Sequence, residues 1–398
     1  MRDEAYAINP SSRKIRVGIV AGEASGDLLG SHLIVALKQH HSNLEFVGIA
    51  GPKMISVGAH SLFPMEKLAV RGYVEVLRHF LEIRGIQRKL KDYFLANPPD
   101  LFIGIDAPDF NLSLEEKLKA SGIPTIHYVS PSIWAWRGER IHKIARSVSH
   151  MLVVFPFEPP LYEKVGVPVT YVGHPLADIL PMQPDRAAAR VQLNLPQDAA
   201  VIAMLPGSRQ SELAYMADLF AKTAHEIARH KPGAHFLIPL ISKETRALFE
   251  TALERCNTRG LSISVLFGHA HDAMTAADGV LVASGTATLE AALLKRPMVI
   301  TYRIARLTWL MLRNKNYLPY VGLPNILAGR FVVPELLQDN ATPENLAQAL
   351  LNLMEDRTVT RALTAEFTRQ HHALKQNTAH RAAQAILPYL RQREISSI

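Results

Sequence analysis

The chain lacks most of what would assign it quickly. Among 398 residues there is one cysteine, Cys256, so no intrachain disulfide can form, which suits a reducing compartment. No stretch reaches the roughly 18 uninterrupted apolar residues that a bilayer span needs. The start shows no signal-peptide pattern: Met1-Arg2-Asp3-Glu4 is mixed in charge and leads to Pro10-Ser11-Ser12. Residues 1–13 are therefore expected as a frayed tail, and the protein as cytoplasmic. Gly-x-Gly-x-x-Gly and a Walker lysine are both missing, which leaves out the usual dinucleotide and P-loop frames. There is no Asp-x-Asp pair to hold a divalent ion on a diphosphate. His269-Ala270-His271-Asp272 offers ligand types, but Asp272 fits a helix cap, and no metal is expected. Ser208 lacks the Gly-x-Ser-x-Gly frame of a hydrolase nucleophile. No internal repeat or low-complexity segment is present.

What is there reads as a globular α/β protein. Hydrophobic residues make up 48% and charged ones 20%, which excludes a disordered or fibrous chain. A net charge of +8 calls for something anionic: nucleic acid, a phosphorylated substrate or an acidic lipid surface. Apolar runs at 14–21, 44–50, 101–105, 125–129, 151–155 and 169–173 alternate with helical stretches, and the pattern restarts at 200–205, 234–239, 262–266, 279–283 and 297–301. Such alternation indicates parallel sheets with helices on both faces. The Pro-punctuated stretch 174–184 separates the two series. The expected division is a tail (1–13), a first Rossmann-like domain (14–173), a second (174–341) and C-terminal helices (342–398). The two domains are expected to face each other across a cleft.

Five strand ends carry chemistry. In the second series, Ser284-Gly285-Thr286-Ala287-Thr288 follows an apolar strand and opens an Ala/Leu-rich helix, so unpaired N–H groups and hydroxyls meet at a strand end. Phosphate suits such a seat. Glu290, one turn on, could accept hydrogen bonds from ribose hydroxyls; the competing reading is an ordinary Ser-capped helix. Pro206-Gly207-Ser208-Arg209 repeats the strand–turn–helix plan with a guanidinium at its mouth. Two such cradles and an acidic hook suggest a nucleoside diphosphate carrying another group. In the first series, Gly22-Glu23-Ala24-Ser25-Gly26-Asp27 joins small residues to two carboxylates, which suits a polyhydroxylated ligand at Glu23, Ser25, Gly26 and Asp27. Asp106, at the end of the 101–105 strand, stands where a general base is wanted, and Asp109 after Pro108 is expected to cap the next helix. Ser130 and Trp136, in Ser130-Pro131-Ser132-Ile133-Trp134-Ala135-Trp136-Arg137, could contact a ligand, or the tryptophans could simply staple the core.

Two stretches mix basic and bulky apolar residues. One holds Val76, Leu77, Phe80 and Leu81 among Arg71, Arg78, Arg84, Arg88, Lys89 and Lys91. The other has no acidic residue from 291 to 334 and includes Leu307-Thr308-Trp309-Leu310. Both suit an anionic bilayer surface, and both also suit core-facing helices with a solvated basic side. No nucleic-acid recognition motif is found, so that partner is not expected.

Taken together, Ala21-Gly22-Glu23-Ala24-Ser25-Gly26-Asp27, Gly104-Ile105-Asp106-Ala107-Pro108-Asp109-Phe110-Asn111, Ser130-Pro131-Ser132-Ile133-Trp134-Ala135-Trp136, Val172-Gly173-His174-Pro175, Leu205-Pro206-Gly207-Ser208-Arg209, Ser284-Gly285-Thr286-Ala287-Thr288-Leu289-Glu290 and Leu323-Pro324-Asn325-Ile326-Leu327-Ala328-Gly329 resemble the lipid-A-disaccharide synthase family. The likeness runs from about Ile15 to Gln338; the stretch 316–322 departs from the family's form. It implies a GT-B fold and an inverting, metal-independent hexosyltransferase without cofactor. The implied donor is UDP-2,3-diacylglucosamine and the acceptor 2,3-diacylglucosamine 1-phosphate. The implied products are a β-1,6-linked disaccharide phosphate and UDP. By the same resemblance Asp106, Arg209 and Asn325 fall where the family keeps functional residues, and a homodimer with exchanged C-terminal segments is an expected partner; the basic stretches make the anionic inner-membrane surface another. Rival readings are a different GT-B enzyme, such as a peptidoglycan glycosyltransferase or a UDP-sugar 2-epimerase, and a non-catalytic sugar-nucleotide sensor. The basic amphipathic stretches favour a lipid substrate over the soluble epimerase, and Asp106 speaks against the sensor.

Overall fold

The computed structural model describes residues 14–68, 73–135, 138–306, 308–309 and 317–395. The chain divides into two compact units, one ending at Pro175 and resuming at Gln376, the other running from Leu176 to Lys375. The stretch expected as a single C-terminal helical tail is thus shared out. Helices Pro343–Glu355 and Arg357–Leu374 stay with the second unit, while Thr378–Ile395 packs on helix Ala24–His40 of the first. Ala382, Ala383, Ile386, Leu387 and Leu390 recur at helical spacing and are buried.

In the first unit, seven strands form one parallel sheet: β1 (Ile15–Ala21), β2 (Leu44–Ile49), β3 (Ala59–Ser61), β4 (Leu101–Ile105), β5 (Thr125–Tyr128), β6 (His150–Val153) and β7 (Val169–Tyr171), in the order β3-β2-β1-β4-β5-β6-β7. The second unit has six, again all parallel: β8 (Val201–Leu205), β9 (His235–Leu240), β10 (Ser262–Phe267), β11 (Gly279–Ala283), β12 (Met298–Tyr302) and β13 (Glu335–Leu337), in the order β10-β9-β8-β11-β12-β13. The central strands β4, β8 and β11 are buried along their whole length, which is why they read as unbroken apolar runs. The edge strands β3 and β13 have three residues each and no apolar period, so the sequence gives no sign of them.

Each sheet reverses direction once. In the first unit β1 starts the chain and has β2 on one side and β4 on the other; in the second, β8 stands in the same relation to β9 and β11. At such a switch point the loops leaving the carboxyl ends of the two strands splay apart, and ligands of open α/β sheets bind there. The loops at 22–27, 106–111, 206–209 and 284–288 leave these four strands; 130–136, 172–175 and the 325 segment do not.

Candidate active site

At the first unit's switch point the register sets Ala21 opposite Ile105, so the 22–27 loop and Asp106 emerge side by side. A Cβ on Gly22 would lie 2.7 Å from Ala107 Cβ, so the two loops touch through glycine alone. Asp106 and Ala107 both hold left-handed backbone, φ 51° and 44°. Non-glycine residues rarely adopt this, and it stores strain. The arrangement is held by Asp106 N–H donating to Tyr128 O (2.8 Å) and by Asn111 Nδ2 donating to Asp106 O (2.8 Å). Ala107, not Asp109, caps the helix Pro108–Ala120: proline takes the first helical position, which moves Asp109 into the first turn, where it is exposed and pairs with Arg140 at 2.8 Å.

Beneath Asp106 lies a fully buried pair. His127 Nδ1 is 2.8 Å from Glu115 Oε1 and 3.1 Å from Oε2, and neither side chain meets solvent. Burial opposes charge on the imidazole, but the attraction of Glu115, with a further contribution from Asp106, holds its pKa above the usual histidine value.

Other residues expected to touch a sugar are occupied by the protein. Asp27 is buried, and its two oxygens accept from the N–H groups of Lys53 and Met54, both at 2.9 Å. It anchors the start of helix Pro52–Ser56; Gly26 is buried against Ala21 and Ile105, which leaves Glu23 and Ser25 as this loop's candidates for a ligand. Ser130 is buried too, its hydroxyl 2.5 Å from Tyr162 Oη and 2.9 Å from Pro131 O. Trp134 stands edge-on to Phe155 and Phe157, so it staples the core of its unit; Trp136 and Arg137 lie outside the described residues. Asn325 is fully buried, donates to Val333 O and Glu335 Oε1, and accepts from the N–H groups of Val332 and Val333. All its hydrogen-bonding capacity goes into fixing the chain that leads into β13.

In the second unit, Val282 stands opposite Leu205, which brings the 206–209 and 284–288 turns together. The helix Thr286–Leu293 begins at Gly285, φ 147°, with no side chain capping its first N–H groups. Gly285 and Thr286 are exposed, so the uncapped helix start is open to solvent. Thr288 is buried behind it, its hydroxyl donating to Gly285 O (2.8 Å) and accepting from Leu323 N–H (3.2 Å), and Ser284 Oγ donates to Val321 O (3.2 Å). These two hydroxyls shape the seat. Glu290 Oε2 lies 2.9 Å from His271 Nε2, and that hydrogen bond raises the pKa of His271.

The 206–209 turn differs from its expected role as a second phosphate cradle. Glu212 Oε2 already accepts from the N–H groups of Ser208 (3.0 Å) and Arg209 (3.2 Å). A Cβ on Gly207 would meet that same oxygen at 2.7 Å, so the turn is built around the carboxylate. Arg209 stays more than half exposed, Nη1 3.9 Å from Glu212 Oε1. Glu212 was legible in principle: a Glu three residues after a helix cap is half of a capping box. Glu115 was legible as a charged residue on a helix face otherwise made of Leu112, Leu114 and Leu118.

Leu81 is 81% exposed and Phe80 44%, with the Arg84 guanidinium 4.4 Å over the Phe80 ring. The same helix, Tyr73–Ala96, turns Ile86, Leu90 and Phe94 inward. The side chains of Val76 and Leu77 lie outside the described ones, as do Arg71, Leu307 and Leu310; Trp309 is half-buried.

Two parallel sheets in one chain, each with its loops gathered at a switch point, define a GT-B-type glycosyltransferase fold. The solved structures agree: the chain is similar to Anabaena Alr3699/HepE in complex with UDP and glucose (TM-score 0.58, 13% identity, 94% of this chain and 100% of that one). It is also similar to CalG4, the calicheamicin glycosyltransferase (TM-score 0.59, 14% identity, 96% and 99%). At these identities the likeness is one of fold. The family model described as lipid-A-disaccharide synthetase matches residues 17–387, and the chain belongs to that family. It is 61% identical over 375 residues to the lipid-A-disaccharide synthase of Methylobacillus flagellatus, covering 94% of this chain and 99% of that relative.

Proposed function

We propose that the chain transfers 2,3-diacylglucosamine from its UDP carrier to the 6-hydroxyl of 2,3-diacylglucosamine 1-phosphate, with inversion at the anomeric carbon. The family is one of glycosyltransferases in lipid A biosynthesis. The observation that carries the mechanism is Asp106, a carboxylate held in strained backbone at the exit of a central strand. In this reading Asp106 takes the proton of the attacking hydroxyl as the new C–O bond forms. The bond to UDP breaks, and its electron pair leaves with the diphosphate. One base and no covalent intermediate suffice for inversion.

UDP is assigned to the second unit. The open start of helix Thr286–Leu293 receives the diphosphate, Glu290 the ribose, and Arg209 the charge that develops on the leaving group. No metal or cofactor takes part, because a helix N-terminus and a guanidinium do the work of a divalent ion. Glu23 and Ser25 face the acceptor, and Asp27 positions their loop. The products leave as a β-1,6-linked disaccharide phosphate and UDP. Among the described residues no helix is long and apolar enough to cross a membrane. Access to lipid substrates falls instead to exposed Phe80 and Leu81 beside Arg84, Arg88 and Lys89, which suit peripheral attachment to the anionic inner membrane from the cytoplasmic side. A homodimer is part of this reading through the family resemblance; nucleic acid is not.

The test is a two-substrate incubation in excess EDTA, following UDP, disaccharide mass and anomeric configuration. Equal amounts of UDP and a β-linked disaccharide phosphate are expected. UDP released without disaccharide, an α-linked product, or activity that vanishes with EDTA and returns with magnesium would each refute it.

A further inference from the structure

The helix Pro108–Ala120 presents Asn111 and Glu115 one turn apart, hence on the same face, and both are fully buried. Asn111 grips the backbone at the exit of β4: its Nδ2 donates to Asp106 O at 2.8 Å and lies 3.4 Å from Ile105 O. Glu115 grips a side chain of the next strand, His127, whose register partner is Gly104, two residues before Asp106. The fit leaves no slack. A Cβ on Gly104 would lie 2.1 Å from Glu115 Oε1 and 3.0 Å from Asn111 Cβ, so glycine is required for the pair to reach beneath the strand.

Two polar atoms of this cluster, His127 Nε2 and Asn111 Oδ1, are buried with no partner among the described residues. Groups kept only for stability are normally satisfied, and a buried ion pair is often matched or bettered in stability by apolar side chains. Buried ionisable groups with orphaned atoms concentrate where chemistry is done. Here the Asp106 charge acts on the His127 ring, so the carboxylate is within the electrostatic reach of the pair.

We propose that His127, oriented by Glu115, is a positioning residue for Asp106, and that with Asn111 it holds the base's carboxylate and its left-handed backbone from beneath. No proton passes to His127; its part is to fix where the accepting carboxylate stands. This rests on the reading of Asp106 as the base, and the test separates the two.

The experiment measures kcat, KM, UDP affinity and the melting curve of the full chain for His127→Gln, Glu115→Gln, the Glu115→Gln/His127→Gln pair, Asp106→Asn, and Asp106→Asn/His127→Gln. His127→Gln is expected to lower kcat by about 10²-fold, the cost of displacing a catalytic group by about an ångström. KM and UDP affinity should stay within about threefold, since the second unit is untouched. Removing both partners leaves no lone buried carboxylate, so the pair should regain the melting temperature that His127→Gln loses while kcat stays low. In the Asp106→Asn background, His127→Gln should cost nothing further, because it acts through Asp106. Should His127→Gln fail to fold, the paired variant carries the same comparison. The inference is overturned if kcat recovers together with the melting temperature, if His127→Gln turns over like the parent, or if it slows Asp106→Asn by its full factor. An Asp106→Asn enzyme as fast as the parent would instead remove the base reading itself.

Discussion

Two deeply buried charges, one in each unit, are treated in opposite ways. In the second unit Arg190 is 1% exposed and every nitrogen of its guanidinium is engaged. Nε donates to Ala276 O, Nη1 to Gln197 O and Ala199 O, and Nη2 to Asp278 Oδ2, which also accepts from Val201 N–H. In the first unit Glu115 and His127 are at least as buried, yet His127 Nε2 and the neighbouring Asn111 Oδ1 have no partner among the described residues. A satisfied buried cation ties loops together and is scaffold. A pair left partly unsatisfied beneath a strained carboxylate belongs to the chemistry. The strand ends divide in the same sense. In the second unit the turn at Gly285 leaves N–H groups open while Glu212 fills the 206–209 turn, whereas the first unit's loop holds a carboxylate in costly backbone.

If that division is right, variants in the two units should fail differently. The largest effect short of the base itself is expected from Arg209→Ala, which should cut turnover by about 10²-fold or more because it meets charge that develops on the leaving group. Glu290→Ala should weaken UDP binding with a smaller loss of turnover, since ribose contacts are uniform binding. Calorimetry with unchanged UDP affinity in both would remove the proposed seat. Arg190→Met comes next: it should cost about 3–5 kcal/mol of stability by taking a donor from four carbonyls and from Asp278, which keeps Arg186 and Val201 N–H, while turnover per folded molecule stays at the parent's value. A loss of kcat beyond the unfolded fraction would break the contrast between scaffold and chemistry.

A third buried charge, Glu158, allows a finer test. Burial raises its pKa from 4.5 to about 7, against the hydrogen bonds from Phe155 and Val154 N–H that favour the carboxylate. A carboxyl whose folded pKa is raised contributes stability that is full below its unfolded pKa and is lost as pH rises through the folded value. Glu158→Gln stays neutral throughout. Melting curves should therefore show the parent losing ground to the variant between pH 4.5 and about 7, then a constant difference. A difference that is flat across that window would contradict the assignment. The smallest effect is expected at the surface: Phe80→Ser/Leu81→Ser should reduce binding to anionic vesicles severalfold and leave UDP affinity and the melting curve alone, because both side chains are exposed. Vesicle binding equal to the parent's would move the membrane contact elsewhere.

The sequence showed the fold through its central strands, whose burial on both faces leaves an apolar run that can be read directly. It hid β3 and β13, because Ala59-His60-Ser61 and Glu335-Leu336-Leu337 carry no apolar period. The switch-point loops were legible because glycine, hydroxyl and charge cluster at strand ends. What those residues do there was less so. Asp27 has the chemistry of a ligand contact but is consumed by the backbone amides of Lys53 and Met54, far along the chain. Asn325 is consumed by the nearer amides of Val332 and Val333, and Glu212, at capping-box spacing, fills the turn expected to cradle phosphate. Local spacing carries no information about which distant amide will meet a side chain. The Glu115–His127 pair is the extreme case, joining a helix face to a neighbouring strand across the core.

The most direct measurement pairs turnover with UDP affinity in Asp106→Asn. Loss of the base should lower kcat by about 10²-fold or more, within the range general-base catalysis supplies, while calorimetric UDP affinity remains that of the parent. Turnover within about tenfold of the parent, or a parallel loss of UDP binding, would contradict the assignment of proton removal to the first unit and nucleotide binding to the second.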